Sequence, residues 1–146
     1  MYNGLLHAHS GFRWLVLIAL VVAIVISLAG WIKRSEWTKS GKISGLVLTI
    51  LMDIQFLIGL VLYVFLSPMT KAAFNDFGAA MKNETLRFYA VEHILIMVIA
   101  LALVHIGKSR TKKDLPGWKK HRSSFIFYGI SLLVILMAIP WDRAMF

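Results

Sequence analysis

Residues 12–31, FRWLVLIALVVAIVISLAGW, carry a single charged group, Arg13, and it lies at the leading edge. As a helix this stretch is roughly 30 Å long, the thickness of a bilayer's hydrocarbon core. Working outward, three more apolar stretches of similar length follow at 43–66, 88–107 and 124–141. The expected fold is therefore all-α: a four-transmembrane-helix, up-down-up-down bundle forming one domain over residues 1–146. The residues ahead of the first stretch, MYNGLL, contain no cation and no small-residue cleavage pattern. The first span is expected to be retained, not removed as a signal peptide.

The composition agrees. Of 146 residues, 59% are apolar and 16% charged, with a mean hydropathy of +0.75. A net charge of +9 raises the question of nucleic acid, but the cations sit in the short links between apolar stretches. That is the pattern of membrane orientation, and nucleic acid is excluded. The first link holds Lys33, Arg34, Lys39 and Lys42 against Glu36. The third holds Lys108, Arg110, Lys112, Lys113, Lys119, Lys120 and Arg122 against Asp114. Both are expected on the cytoplasmic side of a bacterial inner membrane. The middle link balances Lys71 and Lys82 against Asp76 and Glu84, and belongs outside with both termini, in the periplasm. Ser67-Pro68 closes the second helix, and the lipid bilayer is the first expected partner.

Polar groups at membrane depth need partners inside the bundle. His9, Arg13, Val16, Leu20, Ala23, Ser27 and Gly30 form one stripe on the first span, small in its deeper part, where another helix can approach closely. On the third span His93 shares a face with Ala90, Met97 and Ala100. The first and third spans run the same way, so His9 and His93 fall at matching depth near the outer edge. Two imidazoles from neighbouring helices at one depth are a donor set for a b-type haem iron. His7 and His9 are two positions apart and point about 200° apart on a helix, so only one faces a given partner. His9 is preferred because its stripe continues through Arg13, with His7 in reserve. Arg13 is placed to neutralise a propionate or Glu92.

The remaining polar groups are expected to be structural. His105 lies 12 residues beyond His93 and about 120° off its face. A second haem at His105 and His121 is the weaker arrangement beside two interfacial histidines at a basic loop. Asp53 and Gln55 sit mid-span on the second helix, alongside Gly45, Met52, Gly59 and Tyr63, and read as interhelical hydrogen-bonding groups. Ser124, Tyr128, Ser131 and Ala138 read as packing on the fourth span.

The segments His7-Ala-His-Ser-Gly-Phe-Arg-Trp14 and Leu86-Arg-Phe-Tyr-Ala-Val-Glu-His93, with the pattern from 125 to 141, resemble a family of small bacterial four-helix membrane proteins labelled cytochrome b-like. The likeness covers nearly the whole chain. It implies haem b and electron transfer, with His9 or His7 and His93 at the motif positions and Arg13, Trp14 and Glu92 as supporting groups.

With no cysteine, disulfides, iron–sulfur clusters, thiolate metal sites and covalent haem attachment are excluded. No phosphate loop, HExxH motif or nucleophile elbow occurs, which argues against a self-contained enzyme. The leading expectation is one bis-histidine haem b exchanging single electrons with a quinol or a respiratory-complex partner. The alternative is a cofactor-free accessory subunit packed against a larger membrane complex.

Overall fold

The computed structural model describes residues 1–141, and among them the secondary structure is entirely helical. Four helical stretches are long and apolar enough to cross a membrane: Tyr2–Ile32, Lys39–Leu66, Glu84–Arg110 and Gly117–Ala138. We label the helices α1 (Tyr2–Ile32), α2 (Lys39–Val61), α3 (Pro68–Asn75), α4 (Phe77–Met81), α5 (Glu84–Arg87), α6 (His93–Arg110) and α7 (Gly117–Ala138). A π-helical turn, Leu62–Leu66, extends α2, and a second, Phe88–Glu92, joins α5 to α6.

The boundaries depart from expectation wherever a helix continues through polar sequence. α1 begins at Tyr2, ten residues before the apolar stretch, because hydropathy marks the part fit for hydrocarbon and not the part that is helical. α7 begins at Gly117 and stops at Ala138, a shift of several residues from the expected 124–141. Its start is a Pro-Gly turn. Its stop is imposed by Pro140, which disfavours helical geometry in Ile139 and supplies no N–H.

The middle link, expected as a loop, folds into three short helices. Each starts on a side chain that accepts a backbone N–H: Ser67 from Thr70, Asp76 from Ala79, Asn83 from Leu86. Pro68 at the first helical position completes the start of α3. These helices pack over Ala73, Ala80 and Ala90.

The main core joins Val16, Leu20 and Ala23 of α1 to Leu48 and Met52 of α2, Ala100 and Val104 of α6, and Tyr128 and Ile135 of α7. The buried face of α1 is Val16, Leu20, Ala23, Ser27 and Gly30, the stripe read from the sequence. Hydroxyls inside the bundle find carbonyls, as Ser131 Oγ does at Ala100 O, 3.1 Å away. Missing side chains set close approaches: a Cβ on Gly30 would strike the His121 ring, and one on Gly107 would lie 2.8 Å from Phe127 Cβ. The exterior is the more apolar surface, with Ile18 60%, Leu57 59%, Leu95 56% and Leu133 63% exposed, while Ser27, Ser124 and Ser131 are buried. Lipid, not water, is the solvent that such a surface suits.

Candidate functional site

Where α1, α2, α6 and the end of α7 meet, a cavity of about 170 Å³ is lined by His9, Arg13, Gln55, Tyr63, His93 and Met97 among others. The rings of His9 and His93 approach edge to face across it, with centroids 6.5 Å apart and planes at 79°.

Each histidine is set by a neighbour. His93 Nδ1 lies 2.8 Å from Ala138 O. A carbonyl only accepts, so Nδ1 carries a proton, and in the neutral ring Nε2 keeps its lone pair. That carbonyl is available because α7 ends there, leaving its last C=O groups without helical partners. Phe88, in the π turn just before, packs on the His93 ring at 5.5 Å. On the other side, Gln55 Nε2 donates to His9 O at 2.8 Å and ties α2 to α1. Gly59 makes room for the His9 ring, since a Cβ there would lie 2.9 Å from His9 Cε1. Two enclosed atoms on this cavity's walls, His9 Nδ1 and Gln55 Oε1, have no hydrogen-bond partner among the described residues.

The π turns position this end of the molecule. Thr70 Oγ1 donates to Tyr63 O at 2.7 Å, and Tyr63 OH donates to Ala90 O at 2.5 Å. Each turn thus has one carbonyl taken by a side chain, the circumstance that lets a helix accommodate an extra residue. The insertion before His93 turns its side chain by about 100° relative to the 84–87 segment. Sequence reasoning missed both turns, because regular 3.6-residue counting carries no sign of them. Tyr63 and Gln55 were read as a stripe on the second span but not as cavity residues.

The other expected site residues are placed as follows. Arg13 lines the cavity and stacks toward Trp14 at 5.8 Å. His7 is exposed and does not line the cavity. Glu92 is not among the cavity residues either: its Oε1 accepts from Arg87 Nε at 2.7 Å, and Arg87 Nη1 donates to Met81 O. Of the two partners expected for Arg13, a propionate or Glu92, the second is taken by Arg87 in a local ion pair. His105 and His121 are committed to different partners, one on α2 and one on the link that precedes it. His105 Nε2 lies 2.6 Å from Asp53 Oδ1, joining α6 to α2. His121, 1% exposed, donates from Nε2 to Glu36 O and packs on Trp37.

Among the described residues no group of three or more His, Cys, Asp or Glu converges, so the donor set at the cavity is the two imidazoles. Two imidazoles sharing one metal, each through a nitrogen about 2 Å from it, would have centroids up to roughly 6 Å apart. The observed spacing fits that arrangement, and so does the carbonyl behind His93. The space does not yet fit a macrocycle: ligand pockets are typically about 300–1,000 Å³. Accommodation requires flexible lining chains such as Met97 and Met69 to swing outward. No protein family, curated protein or solved structure matches this chain.

Proposed function

We propose that this chain is a membrane-embedded b-type cytochrome, with one haem b held by His9 and His93 near the outer face, passing single electrons between a quinol or respiratory-complex partner and an acceptor. The observation that carries the reading is the pair of edge-to-face rings, 6.5 Å apart, on separate helices of membrane-spanning length. When bound, haem b supplies reversible one-electron chemistry.

The chain's own residues do the rest. The Ala138 carbonyl orients His93 and makes Nε2 a better donor. Gly59 leaves His9 space to turn toward its partner. Arg13 brings a cation to the cavity wall, suited to a propionate carboxylate. Leu17, Ile94, Met97 and Ile135 line the remainder with apolar groups and exclude water.

The up-down-up-down course is part of the same reading. Contacts on adjacent helices run in opposite order: His93 meets Ala138 and Ala100 meets Ser131 across α6 and α7, while His9 meets Gln55 across α1 and α2. The cation-rich links at 33–42 and 108–122 then lie at the end away from the cavity, on the cytoplasmic side of a bacterial inner membrane.

Protein purified from haem-replete cells is expected to give a reduced-minus-oxidised spectrum of b type with about one haem per chain, the number its one pair of cavity imidazoles allows. His93→Ala and His9→Ala lose or alter that spectrum, and His7→Ala keeps it. A colourless preparation overturns the reading.

A further inference from the structure

At the opposite end of the bundle three cations converge on one indole. Arg34 Cζ lies 4.8 Å from the centroid of the Trp118 ring, Arg122 Cζ 5.2 Å and Lys119 Nζ 5.6 Å. An indole face attracts a cation, but three like charges around one ring repel each other. Among the described residues, none of the three has a carboxylate in ion-pair contact.

The backbone is strained to bring one of them there. Arg34 has φ 50°, and among the described residues it is the one non-glycine with positive φ. It stands just past the end of α1, where Ser35 N–H bonds Gly30 O at 2.9 Å and Arg34 N–H bonds Trp31 O at 3.1 Å. That paired closure places a left-handed residue at the position Arg34 occupies, and glycine is the usual choice. The link is then pinned to α7. His121 Nε2 donates to Glu36 O, Trp37 packs on His121, and Gly117 lacks the Cβ that would strike the Glu36–Trp37 backbone. Arg34 is thereby delivered over the first turns of α7.

The geometry points to a binding site for the phosphate of an anionic phospholipid headgroup, formed by Arg34, Arg122 and Lys119 around Trp118. Guanidinium groups match phosphate oxygens in a two-pronged contact, and indole favours the interfacial level. The surroundings favour a lipid over free phosphate. Arg122 heads a line of outward apolar residues at helical spacing, Ile126, Ile130, Leu133 and Met137, exposed by 42%, 45%, 63% and 79%. An acyl chain has a track along α7 directly below the charges. The inference rests on insertion of the four helices in a bilayer and not on haem.

The test uses the full chain in nanodiscs of mixed phosphatidylglycerol and phosphatidylcholine, with retained lipid counted by native mass spectrometry. The wild type is expected to enrich phosphatidylglycerol. Arg34→Gly and Arg122→Gln are each expected to lose about fivefold of that preference, the equivalent of about 1 kcal/mol per cation near anionic lipid. Arg34→Gly should at the same time unfold no earlier than the wild type in phosphatidylcholine alone, because glycine relieves the left-handed position. Lys113→Gln, in the same basic link but outside the three cations on the Trp118 ring, should lose clearly less of the preference. Equal loss in Lys113→Gln, or no enrichment in the wild type, overturns the site. Stabilisation by inorganic phosphate in phosphatidylcholine nanodiscs without phosphatidylglycerol enrichment assigns the cations to a soluble anion and overturns the lipid. Visible spectra of the same samples separate the two readings, since a colourless but phosphatidylglycerol-selective protein keeps this site and sinks the haem.

Discussion

Asp53 and His105 form a polar pair on an otherwise apolar surface: their side chains are 48% and 46% exposed, and Ile50, Ile54, Leu57 and Ile106 around them are exposed too. With the four helices in a bilayer, as proposed, lipid would offer no replacement hydrogen bonds and each group would depend on the other. Removing one leaves its partner orphaned, at about 1–3 kcal/mol, whereas replacing both by apolar side chains removes the penalty. Asp53→Ala is therefore expected to unfold earlier in detergent than Asp53→Leu combined with His105→Leu, as read by thermal melts. Equal melting temperatures would show that the pair contributes nothing. The same residue-level logic separates what the sequence revealed from what it hid. His9 was legible because its stripe runs unbroken into Val16, Leu20 and Ala23, all of them buried. Glu92 adjoins His93 in the chain but does not line the cavity, since neighbours on a helix differ by about 100°. Arg87, five positions earlier, had the better geometry for it.

Among the elements, the long helices were legible and their ends were not. Apolar runs of about 20 residues announce a crossing helix. They do not report that α1 starts at Tyr2 and runs through His7, His9 and Ser10, or that Lys119, Lys120 and Arg122 already belong to α7. The start signals of the middle link were present in Ser67-Pro68, Asp76 and Asn83, but short helices there depend on tertiary packing over Ala73, Ala80 and Ala90. The π turns had no signal, since they arise from Thr70 and Tyr63 taking carbonyls across the fold. Tyr63→Phe removes one of these bonds while keeping the ring, at an expected cost of about 1 kcal/mol. Hydrogen exchange should quicken over 88–92 while 98–108 stays protected. Unchanged exchange over 88–92 would mean that the turn does not depend on the Tyr63 hydroxyl.

For the whole molecule, the charge pattern carries the proposed orientation: with an up-down-up-down course, the cation-rich links gather at one end and the histidine pair lies at the other. Since the sequence has no cysteine, sidedness can be read with single introduced thiols. In intact cells freed of their outer membrane, an impermeant maleimide is expected to label Lys71→Cys, and to label Lys113→Cys only after the membrane is opened. The reverse pattern would invert the orientation. What the sequence did not convey was which helix end serves which ring. Ala138 can steady His93 only because Pro140 halts α7 there, so a stop signal on the last helix governs a side chain on another. Ring and helix terminus behave as one latch: if α7 slid along its axis, or gained another turn, the imidazole would lose its rest and swivel.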